Sequence, residues 1–415
     1  MCTGALSLRF AEVVMVGCLV LAAALTLGQA AAGPETQAAP TPTPPPSTPA
    51  ADRWFFMKLL QGTWEGSLLD GNRMQISGWT DVSCTVGTDR HSNLPLGFNY
   101  LPYVLDLQQN WLRIERTVVT TGTTEPTFGF RWDTILPGTD YRFTTARGLF
   151  SSQLTANDGQ PNRYGIDPIQ FYGEAYIPTI GRGMDIKVGR FFAQYGVESN
   201  DAVSNALCSH AYTFIYDPFT HTGILTTTKL TDAWSVQAGL VVGCDIFIDP
   251  ADNPEFTGSV KWAPSTGRNS VLFAVILGNG RFDQVHNFHN PEIFDLVWTH
   301  KINSRLNYTL ECLYGFTNNV PDIGFANWFG TPNYLTYTLT PRLNTTARLE
   351  LFDDFQGQRT GFKGLYAAGT AGLSFSPRKA IIIRPELRYD YNIESRPFEN
   401  KHGLFTAATD VIIRW

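Results

Sequence analysis

The sequence predicts an all-β chain, a transmembrane antiparallel β-barrel of about sixteen strands, even in count, with both termini on the periplasmic side. Three observations predict it. The first is a period of two. Along 345–354, Ala347, Leu349 and Leu351 share one parity, while Arg348 and Glu350 share the other. In 379–392, Ile381, Ile383, Leu387 and Tyr389 oppose Arg384, Glu386, Arg388 and Asp390, and in 305–316, Leu306, Tyr308 and Leu310 oppose Arg305, Asn307, Thr309 and Glu311. A charge facing lipid at mid-bilayer costs roughly 2–4 kcal/mol, so in a barrel these charges face a lumen. The second is an alternation of links: short at 231–233, 265–267, 303–304 and 377–378, and longer after every odd strand, the longest at 137–167 and 194–218. A barrel with one end toward the cell and one outward has this rhythm. The third is the last strand, in which Phe405, Val411, Ile413 and Trp415 share a parity opposed by Thr406, Asp410 and Arg414. A strand that closes a barrel ends on such an aromatic.

Strands are expected at 74–84, 104–117, 125–136, 168–178, 183–193, 219–230, 234–246, 255–264, 268–279, 290–302, 305–316, 331–342, 345–354, 365–376, 379–392 and 404–415. Two fit poorly. The segment 219–230 is nearly all Thr on both parities, and 268–279 is apolar on both. Aromatics near strand ends (Phe191, Phe192, Tyr195, Tyr314, Phe316, Tyr389, Tyr391 and Trp415) suit interfacial girdles. Parity alone fits a soluble secreted β-sandwich equally well, with inside and outside exchanged. The uniform hairpin series favours the barrel.

Composition agrees. The 415 residues are 16% charged and 13% aromatic with 37 glycines, and the mean hydropathy is −0.11. This is too polar for a helical membrane protein and rich in barrel-wall residues. A modest net charge of −6 gives no support to nucleic-acid binding, which needs a concentrated basic face. Residues 1–32 read as a signal peptide: Arg9, an apolar core over 13–27, and Ala30, Ala31 and Ala32 before Gly33. The setting of Cys18 makes a weak lipoprotein signal. Residues 33–53 form a Pro/Thr/Ala-rich disordered linker. Residues 54–72, with Trp54, Phe55, Phe56 and Trp64, are a short lead-in or a plug, and 73–415 is the barrel. Beyond the signal, no run of about 18 apolar residues remains, so only a closed barrel satisfies the backbone in lipid. Cys84, Cys208, Cys244 and Cys312 match no zinc spacing; one disulfide is allowed, with Cys208 and Cys244 both near the expected outer rim.

The chain reads Lys187-Val188-Gly189-Arg190-Phe191-Phe192 and Pro218-Phe219-Thr220-His221-Thr222-Gly223, with Gly129-Phe130-Arg131-Trp132-Asp133 and Arg163-Tyr164-Gly165 before them. From about residue 71 to the end it resembles the OmpL-like outer-membrane β-barrel porin-2 family. The resemblance implies a water-filled channel for passive diffusion of small polar solutes or ions, with no catalytic residues and no cofactor.

In such a channel an inward loop and facing wall charges set selectivity. The loop candidates are Glu198, Asp201, His210, Tyr212, Tyr216 and Asp217, and the second long link offers Asp140, Arg142, Arg147 and Arg163. The walls offer Arg113, Arg131, Lys187, Arg348, Arg384 and Arg388. The outward links look acidic, with Asp249, Asp252, Glu255, Asp353 and Asp354. For an enzyme the sequence holds no G-x-S-x-G, phosphate-cradling loop or H-E-x-x-H. His286 and His289 beside Asp283 are read as a solvated loop, so no metal is expected. A barrel-based enzyme or adhesin with a plugged lumen stays the alternative. The partners expected are outer-membrane lipids, small solutes or ions, the barrel assembly machinery and two further copies in a homotrimer.

Overall fold

The computed structural model describes residues 53–248, 254–278, 280–283 and 288–415. The expected signal peptide and all but the last residue of the linker lie outside them, as do Asp249, Asp252 and the side chains of Asp283, His286 and His289.

One antiparallel sheet closes on itself. Its strands are β1 (Met74–Gly87), β2 (Leu105–Arg116), β3 (Thr127–Gly138), β4 (Gly165–Ile177), β5 (Met184–Phe192), β6 (Thr220–Lys229), β7 (Trp234–Val241), β8 (Glu255–Trp262), β9 (Asn269–Leu277), β10 (Arg281–Asp283), β11 (Phe288–Asn290), β12 (Glu292–Lys301), β13 (Leu306–Val320), β14 (Gly324–Thr340), β15 (Leu343–Asp354), β16 (Gly364–Arg378), β17 (Ile381–Asn392) and β18 (Gly403–Arg414). The three-residue β10 and β11 form a small hairpin in one link, and β9 pairs directly with β12, which leaves sixteen wall strands. Closure runs from Trp79 opposite Arg414 to Gly87 opposite Thr406. Each expected strand matches one wall strand.

Exposure decides between barrel and sandwich. On β15, Leu349 is 66% exposed, whereas Arg348 is 0% exposed. On β17, Leu387 and Tyr389 are exposed while Arg384, Arg388 and Asp390 are buried. A soluble sheet does the reverse, so the outer face is made for lipid. The apolar β9 also finds its reason here. Ile276 joins Ile293, Leu313, Leu96, Tyr212, Trp328, Phe352 and Tyr366 in a cluster inside the barrel, where a long loop fills that level. On the Thr-rich β6, Ile224 faces outward and Leu225 packs inward with Tyr172, Phe191 and Val241.

The closing strand shapes its neighbours. Gly78 and Trp415 exchange both backbone hydrogen bonds at 2.9 Å. The Trp415 indole lies over Gly78, where an added Cβ would sit 2.4 Å from a ring carbon. Two short helices, Phe55–Leu59 and Trp64–Gly71, precede β1 and lie at this seam. Phe56 meets Trp415 at 5.3 Å between ring centroids, and the Met57 sulfur accepts the Ile76 N–H.

Several expectations change. The link between β13 and β14 is a three-residue turn, not a long loop over 317–330; both strands run on because a hairpin beyond the bilayer needs no lipid face, and Asp322 and Gly324 supply the positive φ for the turn. β7 stops at Val241, since Gly243 and Asp245 turn the chain with positive φ. Phe191, Phe192 and Tyr195 are not girdle residues. Phe191 enters the inward cluster, Phe192 packs on the inward Trp111, and Tyr195 packs against the inner core. Cys84, Cys208, Cys244 and Cys312 form no disulfide with one another. The Cys208 N–H is donated to Glu386 on the wall strand β17 and the Cys244 N–H to Asn290 on the link hairpin strand β11, so their backbones are held on different elements. Glu255 and Asp354 are buried, not displayed to solvent. Asp354 accepts N–H bonds from Gln358, Arg359 and Thr360 and so fixes the turn after β15.

Leu349→Arg is expected to lower folding free energy in vesicles by about 2–4 kcal/mol, read from denaturant unfolding. Gly78→Val displaces the closing indole and meets the Trp111 carbonyl oxygen, 2.1 Å from an added Cβ; the folded fraction, followed by the heat-dependent shift in gel migration, is expected to fall, and an unchanged shift would refute the seam's role.

Candidate functional site: the inward loop and its wall

The link 193–219 leaves β5, runs inside the barrel and returns to β6. Its stem is made of the two segments singled out in the sequence. Gly189 pairs with Gly223, Arg190 with Thr222, Phe191 with His221 and Phe192 with Thr220. Both glycines have positive φ and no room for a side chain: a Cβ on Gly189 would meet the Phe171 carbonyl oxygen at 2.3 Å, and one on Gly223 the Leu240 oxygen at 2.1 Å. Pro218 lies at the loop's exit, where its carbonyl accepts the Tyr195 hydroxyl at 3.3 Å. Asp245, from the link after β7, accepts N–H bonds from Phe219 and Thr220, and Arg190 binds Asp167 at 2.6 Å and Thr220 at 3.1 Å. The buried His221 ring lies 3.0 Å from the Gly243 carbonyl.

Inside, the wall charges hold the loop. Arg348 donates to Glu198 at 2.8 Å and to the carbonyls of Ser209 and His210. Glu198 also lies 2.6 Å from His210 Nδ1, accepts the Tyr334 hydroxyl at 2.7 Å and takes the Ala211 N–H. Burial alone would raise the Glu198 carboxyl, but Arg348 and His210 outweigh it and hold it down at about 2. Arg388 donates to Asp390 at 2.7 Å and to the His210 carbonyl, and lies 3.3 Å from Glu350. Glu350 in turn accepts the Tyr212 N–H, and Asp390 the Tyr212 hydroxyl. Arg384 is paired with Asp410 and donates to the carbonyls of Ala202 and Asn205, while Glu386 takes two N–H groups, from Cys208 and Ser209.

The opposite walls hold the loop's other limb. Asp295 on β12 accepts the Gly196 N–H and Glu311 on β13 the Val197 N–H. Gln109 on β2 donates to the Asn200 carbonyl at 2.8 Å. Between this limb and the wall lies a cavity of about 50 Å³, lined in part by Tyr195, Asn200, Asp217 and Glu311. It has room for little more than ordered water.

Most of the sequence-derived candidates therefore meet. Glu198, His210 and Arg348 form one centre, with Arg388 beside it. Arg384 grips the loop further on, and Arg113 lies 2.8 Å from Asp133 and 3.5 Å from Asp201. Tyr216 donates to the Pro95 carbonyl at 2.6 Å, tying the loop to the link after β1. Asp217 is buried, and that burial first, with the nearby Asp295, raises its carboxyl well above the usual range. Arg131 and Lys187 do not touch the loop: Arg131 lies 2.9 Å from Asp133, and Lys187 lies 3.8 Å from Glu174 and over the Tyr172 ring. The link 139–164 clasps the rim. Asp140 accepts from Gln109, Arg142 reaches the Tyr100 hydroxyl, the Arg147 N–H is donated to the Asp245 carbonyl, and Arg163 lies 3.5 Å from Asp106. Sequence reading missed Tyr334, Gln109 and Asp295 as loop anchors. Their inward parity was readable, but which inward groups meet a loop depends on the path of that loop.

The geometry is that of a barrel narrowed from within, and comparison with known proteins gives the barrel its family. No curated protein matches the chain. The anion-selective porin from Comamonas acidovorans is similar in structure, with a TM-score of 0.57, 10% identity, and coverage of 82% of this chain and 99% of that one. The outer membrane channel DcaP of Acinetobacter baumannii gives 0.53, 10%, 82% and 97%, and a loop L8 deletion mutant of OmpT from Vibrio cholerae gives 0.53, 9%, 82% and 99%. The family described as "Putative beta-barrel porin-2, OmpL-like" matches residues 73–414. The chain belongs to this family of outer-membrane β-barrel porins, and it is a channel for passive diffusion.

Proposed function

We propose that the channel is narrow, admits small polar solutes or ions, and owes its restriction to the 193–219 loop. The observation that carries this reading is the Glu198–Arg348 pair, which with the neighbouring arginines fixes the loop across the interior. An apolar cluster containing Tyr212 fills part of the same level, so free passage is limited to what skirts the loop. Small shifts of the loop would change the bore.

The same reading assigns the ends. Residues 1–32 direct export and 33–53 is a spacer. The short-turn end and both termini face the periplasm. The assembly machinery engages the closing strand with Phe405, Val411, Ile413 and Trp415, and the mature barrel sits among outer-membrane lipids. A homotrimer suits it, as a trimer form is described for OmpT of Vibrio cholerae, whose fold is similar at a TM-score of 0.52. The chemistry of the interior is pairing and packing, which supports a conduit and not a catalyst.

Arg348→Ala leaves Glu198 buried without its main partner, a loss of about 3–5 kcal/mol for a buried pair. Single-channel recording in a planar bilayer is expected to show a larger and noisier unitary conductance than wild type. Equal conductance would remove the loop from control of the bore, and a wild-type barrel that inserts but passes no current would sink the reading altogether.

Acid gives a second test. The folded value of Glu198 lies below its ordinary value of 4.5, at about 2. Its contribution to holding the loop is therefore fully present above pH 4.5 and is lost as pH falls toward 2. Conductance noise is expected to rise over that window, and Glu198→Gln is expected to show the noise already at neutral pH.

A further inference from the structure

The charges that hold the loop are matched, and matched pairs leave little field at a distance. Much the same is true of the exposed charges at the long-loop end, where Lys363 faces Glu394 at 3.7 Å, His91 faces Glu399 at 3.1 Å and Lys401 faces Asp89 at 2.5 Å. On the β2–β5 wall, Arg131 sits between Asp133 and Glu115, and Lys187 beside Glu174.

The short-turn end is different. Lys229, Lys261, Arg268, Lys301, Arg305 and Arg342 are all exposed there. In the same stretches the acid is Asp232, which is shared by two bases, Arg182 at 2.5 Å and Lys229 at 3.9 Å. Three of these bases face the lumen. Gln237 bonds Gln194 of the inward loop and Thr227 of β6, so Thr227 points inward, and Lys229 lies two residues on. Ser259 donates to the same Gln237, and Lys261 lies two residues beyond it. Val297 is opposite Glu311, which takes an N–H from the loop, and Lys301 lies four residues beyond Val297 on the same parity. Among the described residues, Lys261 and Lys301 have no acidic partner. The wall above Lys261 and Lys301 is polar, with Thr227, Gln237, Ser259, Thr299 and Thr309, and the carboxylate on the next strand, Asp185 opposite Thr227, lies beside Lys187.

Lys229 and Lys261 stand at one level on either side of Ser235, two strand spacings or about 10 Å apart. That is about one Debye length at 0.1 M salt, so their fields overlap in a mouth bounded by low-dielectric wall. We propose that this mouth selects for anions: the pore passes small anionic solutes in preference to cations, and Lys229, Lys261 and Lys301 set the preference. The inference rests on the porin reading and adds its substrate class. Each kT of positive potential in the mouth favours a monovalent anion over a monovalent cation by about e², roughly sevenfold.

The test is the reversal potential of the full-length barrel in a planar bilayer under a KCl gradient. Wild type is expected to show chloride permeability several-fold above potassium, with the ratio shrinking from 0.1 M toward about 1 M salt as screening tightens. The triple variant Lys229→Gln, Lys261→Gln, Lys301→Gln is expected to fall toward a ratio of one, and the triple Lys→Arg variant to keep the wild-type value. Heat-modifiable migration confirms that both variants are folded. A cation preference in wild type, or a ratio unmoved in the Gln variant, overturns the proposal. Absence of any current refutes the porin reading itself, and this inference with it.

Discussion

The rest of the structure depends on what happens to a charge placed on the inner face of a lipid-facing strand. The outer face cannot take it, and the interior accepts it only with a partner. Arg348, Arg384 and Arg388 are each almost wholly buried, and each is answered twice, by a carboxylate of the wall (Glu350, 3.2 Å away, for Arg348) and by a group of the loop. The loop is polar backbone brought into a confined space, and its N–H and C=O groups need partners as much as the arginines do. Wall and loop therefore solve one problem together. Without the loop the arginines would need water in its place, and without the wall the loop would have no reason to enter.

The stem shows how the loop is aimed. A regular hairpin would continue β5 and β6 outward into solvent. Gly189 and Gly223, opposite each other with positive φ, let the two strands bend at a level where neighbouring backbone leaves no room for a Cβ. Asp245 then gathers the N–H groups of Phe219 and Thr220, which the bend takes out of the ladder. Two segments 31 positions apart in sequence, at 187–192 and 218–223, are thus one piece of structure.

The wall was legible in the sequence because lipid makes a strict rule: alternate residues must be apolar, and Leu349 against Arg348 is enough to tell in from out. The rule lapses where lipid does. Beyond the bilayer β13 and β14 continue with Asn318, Asn319 and Asn327, polar residues that read as a loop. It lapses again where the lumen is filled. Ile276 and Phe191 point inward yet are apolar, because their neighbours are loop and core and not water. Of the site, the inward residue types were readable, but the pairings were not. That Glu198 finds Arg348, 150 positions away, follows from the path of the loop and from no local pattern.

The seam has a consequence for how such a chain is made. The Trp415 indole donates to Thr80, across 335 positions, and the closing register joins the first wall strand to the last. During barrel assembly the edge of β1 that will receive β18 must wait for the last strand, and an open strand edge invites pairing with other molecules. Contacts of this span are slow to form, because loop closure comes before any reward. The helix bearing Phe56 and Met57 is made just before β1 and ends up against that same seam, so it is the first piece of the chain able to shield the edge while it is vacant. Closure then becomes an exchange of one cover for another.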